Sequence, residues 1–277
     1  KVDIPVYMVS GNHDYEVLPQ LIDSKRYNNI HLLGAKGSWE MKIFSKNEEK
    51  IQFLGWSFPS SHVSEDPLSK FGLSGIDSSI TTIGLVHGDV DVPDSKYAPM
   101  DLNNFSHKSV DAWILGHIHK PQMLKETEPI ICYPGSPHAL SAKEQGKHGP
   151  ILLTIGSQKE IQIEKILLSP VRYEDLSIDI TDKNGQAAVR DAVTSKLFED
   201  AQSKIMELEK VSFLVYDITL TGQHGNINNL ENWIKSVVDD YDQEIDSTET
   251  RISVRKLQID IQPEVDNMEE LAQESSP

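Results

Sequence analysis

Short apolar runs, each closed by a polar, glycine-containing turn, constrain this chain more than any other feature. They fall at residues 4–9, 51–56, 82–87, 112–115 and 130–133. Runs of this kind, rich in Ile, Val and Leu and without polar alternation, are the pattern of strands buried on both faces in an α/β sheet. A helical stretch is expected over 17–24. Ligands in open α/β sheets gather at the carboxyl ends of the strands, and three histidine motifs fall there. Gly11-Asn12-His13-Asp14 follows the first run, Val86-His87-Gly88-Asp89 straddles the end of the third, and Gly116-His117-Ile118-His119 follows the fourth.

Taken singly, each motif has a plain explanation. Asn12 and Asp14 suit a turn, because both side chains bond to nearby backbone. A lone His87 suits a core or surface position. His117 and His119 in an extended segment put both imidazoles on one face, which already favours a metal. Taken together the motifs meet at one edge of a sheet. Neutral imidazoles and an amide oxygen are ligands for Mn, Fe or Zn. Two-metal phosphoesterases hold their cations roughly 3.5–4 Å apart to clamp an attacking and a leaving oxygen. Asp89 is divided between a residue behind a metal ligand and a simple turn aspartate, and is not assigned. His138 and His148 read as surface histidines, and Gly135-Ser136 as a tight loop near the same edge.

Strands over 151–155 and 161–168 form a hairpin through residues 156–159, and Ser169-Pro170 marks a boundary. Beyond it come a strand over 173–180, a helix over 186–209, a strand over 213–220, a helix over 230–238 and an alternating strand over 251–261. The first helix carries Val189, Val193, Leu197, Ala201, Ile205 and Leu208 at helical spacing. This β-α-β-α-β unit holds no His, Cys, Asp or Glu set at ligand spacing. Three segments follow: a portion over 1–169 that carries the histidine motifs, a second domain over 170–262, and an acidic tail over 263–277 expected to be disordered.

The formal net charge is −17. A protein that grips DNA by counterion release alone is expected to be basic, so the charge disfavours a freestanding DNA binder. It leaves room for an enzyme that meets phosphates through bound cations, which can reverse the sign of a site. The single cysteine, Cys132, excludes an internal disulfide framework and fits a reducing, cytoplasmic setting. No apolar run reaches the roughly 18 residues a membrane span needs. The chain opens on a strand-like run without an initiator Met, so residue 1 reads as an internal position of a longer protein.

The histidine motifs resemble those of the calcineurin-like metallophosphoesterase family. That family carries five in order: Asp-x-His, Gly-Asp-x-x-Asp, Gly-Asn-His-Asp/Glu, a lone His before Gly, and Gly-His-x-His. The last three stand here in order and the first two are absent, which reinforces the expectation of a truncated N-terminus. Tyr97-Ala98-Pro99, the stretch 110–122, Tyr133-Pro134-Gly135-Ser136-Pro137 and Gly146-Lys147-His148-Gly149-Pro150 resemble the SbcD-type DNA repair nucleases, especially their YhaO-like branch. The resemblance covers residue 1 to about residue 262. It implies an α/β fold: a metallophosphoesterase sheet-sandwich domain, incomplete at its N-terminus, with a small α+β capping domain.

By the same resemblance, Asn12, His87 and His117 hold one metal, and His119 holds the other with the absent upstream ligands. His13 faces the scissile phosphate and either stabilises charge on it or protonates the leaving oxygen, and Asp14 orients and polarises His13. Two divalent metal ions are implied, Mn first, with Fe and Zn suited by the same ligands. The function implied is a DNA repair exonuclease subunit working on DNA beside an SbcC-like ATPase subunit, with dimerisation near the catalytic domain and no membrane partner. The competing readings are a small-molecule phosphodiesterase or phosphatase, and a folded binding module made inactive by the missing upstream ligands.

Overall fold

The computed structural model describes residues 4–22, 27–107, 109–239, 241–246 and 248–263. Two compact units share the chain. The first runs to Pro137 and resumes over Gly149–Ile166; the second takes His138–His148 and everything from Leu167 onward. The chain therefore passes from one unit to the other at 137/138, 148/149 and 166/167. The acidic tail expected over 263–277 lies, beyond Pro263, outside the described residues, as do residues 23 and 24 of the helix expected over 17–24.

The first unit is built on a six-stranded sheet. Its strands are β3 (Trp39–Lys46), β4 (Glu49–Trp56), β5 (Thr81–His87), β6 (Ala112–Gly116), β7 (Gln122–Lys125) and β8 (Ile130–Tyr133). The spatial order is β3-β4-β5-β6-β8-β7. Neighbours from β4 to β8 are parallel, and antiparallel β3 and β7 flank them. Successive side chains point to opposite faces, and both faces are covered. Ile83, Ala112 and Ile130 lie on one face under Leu153, Ile155, Ile161 and Ile163. Those four come from an antiparallel hairpin of β9 (Ile151–Ile155) and β10 (Ile161–Lys165). Val86, Trp113, Leu115, Ile131 and Tyr133 point the other way, into a cluster with Phe58, Leu68 and Phe105. Cover on both faces is why these strands read as continuous apolar runs.

The run over 4–9 differs from expectation. It forms only β1 (Val6–Met8), paired in parallel with β2 (Ile30–Leu32) in a two-stranded sheet. Ile4 and Val6 are 60% and 39% exposed rather than buried, because among the described residues β2 is its only strand neighbour. Tyr7 stacks on Phe53 at 4.2 Å, which ties this pair to β4. After β1 comes α1 (Val17–Leu21), a single short turn with no buried residue.

The second unit carries the β-α-β-α-β unit: β11 (Val171–Asp179), α2 (Gly185–Ser203), β12 (Phe213–Thr221), α3 (Ile227–Asp239) and β15 (Arg251–Ile259). Two-residue strands β13 (Gln223–His224) and β16 (Gln262–Pro263) pair with each other. An edge strand, β14 (Asp242–Glu244), completes the order β11-β12-β15-β14. Each helix returns the chain to a parallel neighbour, the geometry that parallel pairing requires. The core is apolar throughout: Leu176, Ile178, Leu214, Ile218 and Leu220 from the strands, Val189, Val193 and Leu197 from α2, Leu230 and Ile234 from α3. The first helix is shorter than the expected 186–209. It ends at Ser203, whose hydroxyl donates to the Asp200 carbonyl at 2.6 Å, and a 3-10 turn over Ile205–Glu207 replaces its last turn. Glu207 is held there by Arg172 at 2.9 Å and Lys147 at 2.5 Å. Among the described residues no helix is long and apolar enough to cross a membrane.

Candidate metal centre

The parallel strands of the first unit end on one edge, and the loops beyond them carry the histidine motifs. Ser57, just past β4, locks the neighbouring turn in place. It accepts the Ser10 N–H at 3.0 Å and donates to the Leu33 carbonyl at 2.6 Å, and the Phe58 N–H donates to the Ser10 carbonyl at 3.1 Å. This fastens the end of β1 beside the end of β4 and fixes where Gly11 and Asn12 lie. Both are buried.

His87 is the last residue of β5, and its Nε2 lies 2.8 Å from the Asn12 Oδ1. The His117 ring, just past β6, stands 5.1 Å from the His87 ring. Space for the His87 ring is made by two glycines. A Cβ on Gly11 would fall 2.5–2.7 Å from three of its ring atoms, and a Cβ on Gly116 would fall 2.7 Å from Nδ1. Neither position admits a side chain without moving the imidazole. Phe58 meets His87 edge-on at 5.3 Å, and the Tyr97 ring lies 4.9 Å from His117.

Burial pushes the His87 imidazole down to about 4, helped by the nearby His117, His13 and His119. Burial also lowers His117, with Asp89 opposing it. Both shifts favour the neutral imidazole, the form that binds metals. Among the described residues no group of three His, Cys, Asp or Glu side chains is gathered to hold a metal; the set around His87 reaches three donors with the Asn12 amide. Two neutral imidazoles and an amide oxygen at a half-dry strand edge fit a first-row divalent cation.

The other expected residues lie around this set. His13 is exposed beside Asn12. Asp14 accepts the Gly11 N–H at 2.6 Å and so closes the turn that presents Asn12 and His13. His119 is exposed, and its carbonyl accepts the Ser136 N–H at 2.8 Å, so the Gly135-Ser136 loop does sit at this edge. His138 is exposed, whereas His148, expected at the surface, is 1% exposed. It is enclosed because its carbonyl accepts the Leu168 N–H at 3.2 Å, and residues 138–148 pack as part of the second unit. Asp89, left unassigned from the sequence, is buried with Oδ1 3.4 Å from the His117 Nε2. Its place two residues after His87 was the available signal; nothing local marked Ser95, which donates to it at 2.5 Å.

The strand ends thus bring two imidazoles and an amide oxygen together at one edge. Residues 1–157 match the calcineurin-like phosphoesterase superfamily domain, more than half of the chain, and the chain belongs to that superfamily. Its members generally use divalent metal ions. The chain is also similar to an uncharacterised metallophosphoesterase, YhaO, of Bacillus subtilis (strain 168), being 26% identical over 204 residues, 73% of this chain and 48% of that protein. The chain thus spans about half the length of the curated relative it matches.

Proposed function

We propose that this chain carries most of the catalytic region of a metal-dependent phosphodiesterase that hydrolyses DNA as a repair nuclease, most of all as an exonuclease subunit. The observation that carries the reading is the meeting of Asn12, His87 and His117 at the strand ends, with His87 and Asn12 2.8 Å apart. These three would hold one cation. His119 would contribute to a second, whose remaining ligands the family's Asp-x-His and Gly-Asp-x-x-Asp motifs would supply; neither motif occurs in these 277 residues. When bound, such cations neutralise phosphate oxygens and activate water near neutral pH. His13, exposed beside Asn12, would stabilise charge on the phosphate or give a proton to the departing alkoxide. Asp14 keeps that turn closed, and Phe58 and Tyr97 pack against the imidazoles.

Manganese is the metal proposed, with Fe and Zn suited by the same donors. A net charge of −17 favours a basic DNA-gripping surface supplied by a separate ATPase subunit of the SbcC kind, and the one buried cysteine favours a reducing cytoplasm.

The test is Mn²⁺-dependent hydrolysis of a labelled DNA oligonucleotide beside bis(p-nitrophenyl) phosphate, using this chain and a version extended to include the two further motifs. DNA cleavage by the extended version, lost in His13→Ala, is expected. Cleavage of the small diester alone would move the reading to a small-molecule phosphodiesterase. No cleavage of either would leave a binding module.

A further inference from the structure

The loop after β5 folds back on itself around Asp89. The Asp89 N–H donates to the Tyr97 carbonyl at 2.9 Å, and its own carbonyl accepts the Met100 N–H at 2.8 Å. Its side chain is therefore aimed by backbone on both sides. One carboxylate oxygen accepts the Ser95 hydroxyl at 2.5 Å, and Ser95 is fixed in turn by the Tyr97 N–H at 2.9 Å. The other oxygen faces the His117 Nε2 at 3.4 Å. Tyr97 closes the circuit by laying its ring against the same imidazole. His117 itself has φ 101°, a left-handed backbone that an L side chain adopts at a cost of order 1–3 kcal/mol. Such strain persists where the surroundings over-determine a conformation, and here they determine the direction of a ring.

A neutral imidazole carries one proton. With Nε2 unprotonated, its lone pair would lie beside a largely buried carboxylate oxygen 3.4 Å away, a repulsive pairing. With the proton on Nε2, the same contact becomes attractive and the lone pair moves to Nδ1. Carboxylates behind metal-binding histidines act in this way, setting both tautomer and ring angle.

We infer that Asp89, braced by Ser95, is the positioning residue that holds His117 as the Nε2–H tautomer and leaves Nδ1 as its metal-binding nitrogen. The tautomer half stands on the geometry alone; the metal half rests on the function proposed above.

The experiment uses the full chain labelled with 15N-histidine. Long-range proton–nitrogen correlation spectra identify which ring nitrogen of His117 carries hydrogen, with His117→Gln giving the assignment, and calorimetric titration with Mn²⁺ alone measures affinity. The wild type is expected to show hydrogen on Nε2. Asp89→Ala should release the ring into mixed tautomers and weaken Mn²⁺ binding by about 10–100-fold. Asp89→Asn preserves shape and the Ser95 contact, so it reports should the alanine variant fail to fold, and it should also lose the single tautomer. Ser95→Ala should act in the same direction more weakly. Hydrogen on Nδ1 in the wild type, or a His117 tautomer unchanged in Asp89→Asn, overturns the inference. A tautomer that shifts as expected while neither Asp89→Asn nor His87→Ala alters Mn²⁺ affinity supports the positioning role and removes the metal reading instead.

Discussion

The two units lay parallel strands side by side in similar ways and use the strand ends differently. In the second unit the ends close on themselves: Asp179 accepts the Thr181 N–H at 2.8 Å, and the Asp260 N–H donates to the Leu220 carbonyl at 2.9 Å. Its buried core is made of aliphatic residues and tyrosine. In the first unit the ends stay open to chemistry. Asn12, His87 and His117 project from them, and glycines stand where larger residues would fill the space. A parallel sheet supplies an edge; the side chains on that edge decide whether it is only a fold.

That contrast can be broken by mutation. The largest effect should come from His87→Ala, which removes a proposed ligand rather than a residue behind one. Mn²⁺ affinity should fall by roughly 100-fold or more, beyond the range for an outer partner, as read by calorimetry. Unchanged affinity would erase the difference between the units. Leu197→Ala tests the other side. Leu197 is fully buried, so urea denaturation should show a loss of about 2–5 kcal/mol, with Mn²⁺ affinity intact. Loss of affinity in this variant would show that the units are energetically one. Gly11→Ala should do both things modestly, since its Cβ meets the His87 ring. Overpacking of this kind costs about 1–3 kcal/mol, and displacement of the ring should weaken Mn²⁺ binding by about 10-fold, the lower end for a disturbed outer contact.

The smallest effect concerns acid. Burial pulls the Glu207 carboxyl upward, and hydrogen bonds from Lys147 and Arg172 outweigh it, leaving it below the usual 4.5. A carboxyl lowered on folding stabilises the folded state fully above its unfolded value and loses that contribution as pH falls through its folded value. Glu207 is partly exposed, so below about 1 kcal/mol is expected. Glu207→Gln should flatten the stability curve in that acid window and leave metal binding untouched; an unaltered curve would remove the ion network from the account of the second unit.

The strands of the six-stranded sheet were legible because they are buried on both faces, and such burial leaves an unbroken apolar run. The same pattern misled at 4–9, where the residues are apolar but one side is uncovered. The antiparallel strand β3 was missed because its sequence, Trp39–Lys46, is mixed and half exposed. The helix α2 showed its core-facing positions, yet its end depended on Glu207 pairing with Arg172, a contact 35 residues away in sequence. The histidines announced themselves by position at strand ends. The contact between Asp89 and His117 did not, because 28 residues and two strand ends must first be folded before it exists.

The three crossings between the units have a consequence for how the chain can be made. A ribosome that has released residues up to 137 has delivered the six-stranded sheet without the hairpin that covers Ile83, Ala112 and Ile130. That hairpin emerges only after 138–148, a stretch that must wait for strands not yet synthesised. The first unit is thus complete once residue 166 has emerged, whereas the second keeps residues 138–148 waiting for strands made later. The first unit can therefore fold ahead of the second during synthesis, and a single proteolytic nick at any of the three crossings leaves at least one unit divided between two pieces of chain.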